Sequence, residues 1–167
     1  MAEPWNLIDA WLTKNASASL AERRPPASPE AVGCTEERLG FEIPVDLCES
    51  LLCRDGDDAY LAVLPCGSLN STERIVEIRT MRMRIWDPDD PDQRDDPWWG
   101  AWWVPFVGRY GDEHFIAGWA RPVANHLGRV AQDDSAYSAG WPSMATRLYA
   151  VAQAMLHHED RDHVEAG

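Results

Sequence analysis

The sequence predicts an α+β fold, an antiparallel sheet covered by helices within a single domain. Three observations predict it. Apolar residues recur at helical spacing through the first half of the chain; short β-rich runs punctuated by glycine and proline fill much of the second half; and a final amphipathic stretch closes the chain as a helix. The 167 residues, 45% of them hydrophobic and 10% aromatic, suit one folded domain with a substantial core.

Each element has a local reason. Pro4–Asn15 reads as a helix because Trp5, Ile8 and Leu12 fall on one face with Trp11 beside them. The small, polar, proline-bearing stretch 17–27 reads as a linker, so residues 1–16 are expected to be a helix laid on the main body. A second helix begins with Ser28 as N-cap and Pro29 in the first turn, turns Val32, Thr35 and Leu39 to one side, and ends at Gly40. Pro44 and Asp46 open a third, with Leu47, Cys48, Leu51 and Leu52 as its buried stripe. Residues 59–65 read as a strand. Residues 70–85 read as a helix capped by Asn70 or Ser71, with Ile75, Ile78 and Met81 or Arg82 in its apolar period.

Residues 86–97 cannot continue that helix. Three prolines and six aspartates (Asp87, Asp89, Asp90, Asp92, Asp95 and Asp96) predict a long exposed loop. Strands are expected at 101–108, 114–120 and 127–133. In the first, Trp102, Val104 and Phe106 would share one face, and Trp103, Pro105 and Val107 the other. A loop follows at 135–142, and Ser143 caps a last helix that buries Leu148, Val151, Ala152 and Met155. The expected core includes Leu39, Leu47, Leu51, Val104, Phe106 and Leu148.

Net charge is −13, which disfavours nucleic acid and anionic lipid and favours a basic partner. The opening residues lack a basic n-region and a continuous apolar stretch, and no run has the length of a membrane span, so neither an export signal nor a membrane anchor is expected and the setting is read as cytoplasmic. Cys34, Cys48, Cys53 and Cys66 form no CxxC pair and read as reduced cysteines. There is no GxSxG, P-loop, GxGxxG or HExxH. His157, His158 and His163 stand with carboxylates in "HHEDRDH", which reads as a solvated end rather than a metal site. The aspartate run lacks the central glycine and final glutamate of a calcium loop. No catalytic residue, cofactor or metal is expected.

The order of motifs resembles the SMI1/KNR4 family of the SUKH superfamily. The resemblance rests on Pro25, Pro26 and Ala27 before a helix ending in Leu39-Gly40, then Ile43, Pro44, Asp46 and Leu47, then Asp55-Gly56, and later "WVPF" at 103–106, "GRVAQDD" at 128–134 and "PSMATRL" at 142–148. "WNLIDAWLTKN" resembles an N-terminal helix of many bacterial members. The likeness spans residues 4–158. It implies an N-terminal helix (1–16), a linker (17–27), a SUKH-like domain (28–158) and an acidic tail (159–167). Gly111 and Asp112 keep part of the family's turn, but Gly118 or Trp119 stands where a strand aspartate is usual.

The resemblance implies a non-catalytic protein-binding domain: an immunity protein that neutralises a cognate toxin of nuclease or deaminase type or, alternatively, a regulatory adaptor with an endogenous partner. The expected contact residues are Trp98 and Trp99 at the loop–strand junction, Asp89, Asp90, Asp92, Asp95 and Asp96 in the acidic loop, and Arg109 and Tyr110 at the following turn. Trp102 and Trp103 are expected to be structural.

Overall fold

The structure is a computed structural model describing residues 1–21, 23–57, 64, 67–87, 89–91, 99–109, 112–117, 127–130, 137–138 and 141–165. Its helices are α1 (Ala2–Asn15), α2 (Ser17–Ala21), α3 (Pro29–Leu39), α4 (Val45–Leu51), α5 (Thr72–Ile85) and α6 (Met144–Glu165). Its strands are β1 (Ser68–Leu69), β2 (Trp103–Arg109), β3 (Asp112–Ala117), β4 (Leu127–Val130) and β5 (Tyr137–Ser138). The strands form one antiparallel sheet in chain order, β1-β2-β3-β4-β5. The protein is therefore α+β, with α1–α4 before β1, α5 between β1 and β2, and α6 after β5.

The helix boundaries follow from the capping residues. Ser28 Oγ accepts from the Ala31 amide at 3.2 Å, with Pro29 in the first turn, and Gly40 ends α3 in the left-handed region at φ 80°. Ser71, not Asn70, caps α5 by accepting from the Arg74 amide at 3.2 Å. Ser143 Oγ accepts from the Thr146 amide ahead of α6. Each of these bonds satisfies a donor that the first helical turn leaves unpaired.

Trp5, Ile8 and Leu12 of α1 are buried in the main core with α3, α4, β2 and α6, and the Trp5 indole N–H donates to Ser50 Oγ at 3.0 Å. This helix thus contributes side chains to the core. The 17–27 segment is itself tied to the body. It contains α2, pairs with the body through an Arg23–Asp57 bridge, and exchanges backbone bonds with the end of α4: Ala27 N–H to Leu51 O at 2.9 Å and Asp55 N–H to Pro25 O at 3.0 Å.

Those bonds explain why Pro25–Ala27 and Asp55-Gly56 occur together. Asp55 also accepts from the Thr72 amide at 2.7 Å, at the start of α5. Gly56 adopts φ 86°, and a Cβ there would lie 2.6 Å from the Ser71 backbone nitrogen. Only glycine tolerates both the backbone angle and this approach. Segments 25–27 and 55–56 and the N-terminus of α5 are joined at one point.

One expectation about the buried stripes is corrected, and one left open between two residues is resolved. In α4, Leu47 and Leu51 are fully buried, but Cys48 is only partly so and Leu52 is 40% exposed; Ser50 takes the buried place because Trp5 hydrogen-bonds to it. In α5, Arg82 is buried and Met81 exposed. The long aliphatic stem of Arg82 lets an arginine occupy that position, with its guanidinium over the Trp99 ring.

In β2 the expected alternation fails. Val104, Pro105, Phe106 and Val107 are buried in succession. The pairing with β3 shifts between Pro105 and Val107, so Phe106 is an extra residue and both Phe106 and Val107 enter the core with Val104. The bulge carbonyls are not orphaned: Asn70 donates its backbone N–H to Phe106 O at 2.7 Å and its side-chain amide to Pro105 O at 3.2 Å. Trp102 lies outside the strand, in the turn that precedes it.

β1 and β5, each two residues long, were not expected from sequence. Apart from the buried Leu64, the strand read at 59–65 lies outside the described residues, as does Cys66. The expected core residues Leu39, Leu47, Leu51, Val104, Phe106 and Leu148 are all buried. No helix among the described residues is long and apolar enough to cross a membrane.

Candidate interaction surface

Next to the main core lies a second, smaller apolar cluster. Its centre is Trp99, fully buried, with Met83 and Trp86 from the end of α5 and Trp103 from the start of β2 packed around it. Trp99 and Trp103 meet edge to face, with centroids 5.9 Å apart and an interplanar angle of 74°. Gly100 makes this possible: a Cβ there would lie 2.7 Å from the Trp103 ring. It is a packing position, not a hinge.

This cluster closes the base of the acidic segment. Trp86 immediately precedes the first aspartate and Trp99 follows the last part of the segment, and the two pack together. Immediately beyond Trp86 the chain turns. The Asp87 carboxylate accepts from the Asp89 amide at 3.0 Å and the Asp87 carbonyl from the Asp90 amide at 3.3 Å. An aspartate side chain satisfying the backbone two residues on is a standard turn former. Asp87 and Asp89 are exposed and Asp90 is partly exposed.

In the turn that precedes β2, Trp102 is 49% exposed and stands edge-on to Phe41, with centroids 5.4 Å apart at 67°. Arg79 of α5 holds this arrangement from beneath. Its Nη2 donates to Ala101 O at 2.7 Å, and its guanidinium carbon lies 5.1 Å from the centre of the Phe41 ring. Burial pushes the Arg79 pKa down from its ordinary value.

The expected contact residues therefore separate. Asp89 and Asp90 lie in the turn at the exit of α5. Arg109 is the last residue of β2, opposite Asp112. Trp98, Tyr110, Asp92, Asp95 and Asp96 lie outside the described residues. Trp99 is corrected: it is no surface contact but the centre of a core cluster, because the apolar side chains of Met83, Trp86 and Trp103 enclose it. The residue missed is Trp102. A two-residue displacement of the strand start, from 101 to Trp103, moves it from a pleated face into a turn, and periodicity does not resolve a shift that small.

A separate polar cluster joins the N-terminal region to the body. Asp9 of α1 pairs with both Arg23 and Arg54. The Arg23 guanidinium also lies 4.6 Å from the centre of the Trp5 ring, and its Nε is 3.5 Å from Asp57 Oδ1. Asp57 Oδ2 accepts from the Leu69 amide at 3.1 Å. Burial holds the Arg23 pKa below and the Asp57 pKa above their ordinary values. The cluster bridges α1, segment 23–27, the α4–β1 connection and β1, which is an anchoring role.

Among the described residues no group of three His, Cys, Asp or Glu side chains is placed to hold a metal. Cys34, Cys48 and Cys53 are free thiols, and burial raises the pKa of Cys48 and Cys53. Their shifts run opposite to those of an activated nucleophile. "HHEDRDH" falls within the C-terminal half of α6, where His157 is exposed.

No protein-family model matches the chain, and no curated protein matches it significantly.

Proposed function

We propose that this chain is a non-catalytic, cytoplasmic protein-binding domain of the SUKH type, and that it acts as an immunity protein by covering the active site of a basic toxin of nuclease or deaminase type. The observation that carries the reading is the pinned base of the acidic segment: Trp86 and Trp99 hold together the two ends of a stretch bearing six aspartates. A segment dense in aspartates, with its two ends held together, offers a basic groove the kind of negative charge that a phosphate backbone carries. The α+β architecture, the Leu39-Gly40 helix end, the Pro25–Ala27 contact with Asp55 and the "WVPF" strand accord with the motif order that suggested the family.

The test is inhibition. The purified chain is mixed with the toxin domain encoded beside its gene, and hydrolysis or deamination is followed. Stoichiometric inhibition, with an association rate that falls steeply as salt rises, supports the proposal. Absence of inhibition together with a stable complex with a host protein would assign the adaptor role instead.

A further inference from the structure

The aromatic rings of this protein are repeatedly capped by arginine. Arg23 lies over Trp5, Arg79 over Phe41, Arg82 over Trp99 and Arg147 over Phe106, at 4.6 to 6.0 Å from the ring centres. Among the described residues Trp102 has no such cation, although it is the most exposed of the described tryptophans. Its one ring partner is Phe41, whose own guanidinium contact is already supplied by Arg79.

We propose that Trp102, braced by Phe41, is the docking anchor for an arginine or lysine side chain of a basic protein partner. This rests on the protein-binding reading above and names the residue at the centre of the contact. Three features favour it. A tryptophan face is the strongest of the side-chain cation acceptors. The shelf is held in place before binding, because Arg79 fixes the Ala101 carbonyl and Phe41 backs the indole edge, so little ordering accompanies docking. The charge of the chain as a whole favours a basic partner: it stands at −13, Glu42 follows Phe41 in sequence, and Asp87 and Asp89 are exposed at the exit of α5. That same charge disfavours a second copy as occupant, since each copy would bring a strongly negative surface to the other. Arg79 is itself a cation beside the shelf, hydrogen-bonded to the Ala101 carbonyl and set against the Phe41 ring, so the attraction comes from the Trp102 face and from the charge of the chain as a whole.

The probe is an acetylated peptide of five Gly-Arg repeats, with the same peptide carrying citrulline for arginine as the uncharged isostere. Binding to the full chain is followed by tryptophan emission and by calorimetry at low salt, with circular dichroism verifying the fold of each variant. The arginine peptide is expected to bind and the citrulline peptide not. Trp102→Ala is expected to weaken binding about tenfold, with Trp102→Phe intermediate because a phenyl ring keeps part of the cation attraction. Asp87→Asn with Asp89→Asn is expected to slow association while leaving the Trp102 emission change at saturation. Equal affinity of wild type and Trp102→Ala, no binding of the arginine peptide, or a salt-independent dimer of the chain that buries Trp102 would each overturn the proposal. Toxin inhibition that survives Trp102→Ala undiminished sinks this anchor and leaves the immunity role standing; peptide capture at Trp102 without toxin inhibition does the reverse.

Discussion

Trp86 and Trp99 pack against each other although the whole acidic segment separates them in sequence. The two ends of the segment, at the close of α5 and the approach to β2, are therefore held together by an apolar contact. Charge repulsion among the aspartates acts to part those ends, and the Trp86–Trp99 contact with Met83 and Trp103 around it opposes that.

The first consequence is a difference between neighbouring tryptophans. Trp99 is fully enclosed, and Trp99→Ala is expected to destabilise by about 3–5 kcal/mol, as large-to-small changes in a core do. Trp102 is half exposed and touches one ring, so Trp102→Ala is expected to stay within about 1 kcal/mol of wild type. Urea unfolding of both variants checks this. Equal losses would place Trp102 inside the cluster.

A second contrast lies in two adjacent leucines of the α4 region. Leu51 is fully buried and Leu52 is 40% exposed. Leu51→Ala is expected to lose about 2–5 kcal/mol and Leu52→Ala under about 0.5 kcal/mol. Thermal melts of the pair read the orientation of the helix end directly; a reversal would mean that α4 is rotated by one residue.

Glycines 33 and 56 should respond in opposite directions to the same substitution. Gly33 sits inside α3, and an added Cβ there meets no atom within 4 Å. Gly33→Ala is expected to stabilise by about 0.5–1 kcal/mol, since glycine in a helix interior gives up more backbone entropy. Gly56 has a positive φ and faces the Ser71 and Leu69 backbone at under 3 Å, so Gly56→Ala is expected to destabilise by more than about 1 kcal/mol. Calorimetry of both variants checks the two signs.

Much of the fold was legible in the sequence where a single residue dictates local geometry. Ser28, Pro29 and Gly40 delimit α3, and Pro44 precedes α4 as the spacing predicts. What was illegible depends on contacts distant in sequence. The integration of α1 requires Ser50 to receive the Trp5 indole N–H, 45 residues away. The Phe106 bulge shows itself only in the pairing with β3, and it is what buries both Phe106 and Val107. The candidate surface was half legible: the aspartate run marked the region, but the choice between Trp99 and Trp102 turned on where β2 begins. β1 and β5 are too short for a period of two to register.

The remaining prediction concerns acid. Asp57 carries a side chain with no solvent exposure, and burial raises its pKa above the ordinary 3.8 despite Arg23, Arg54 and the Leu69 amide, which act to lower it. The folded protein thus holds a proton on Asp57 over a pH range in which the unfolded chain has released it. In that range the unfolded state binds fewer protons, so the Asp57 contribution to stability is fully present below the unfolded pKa and declines as pH rises through the folded one. Asp57→Asn keeps an oxygen to accept from the Leu69 amide but cannot titrate. The difference in Tm, wild type minus Asp57→Asn, is therefore expected to be more favourable to wild type at about pH 4 than at about pH 7. Every other titratable group is common to both proteins, so the difference isolates Asp57. A Tm difference that is flat, or that shrinks on acidification, would show that the Arg23 guanidinium outweighs burial and that the carboxyl titrates at or below its ordinary value.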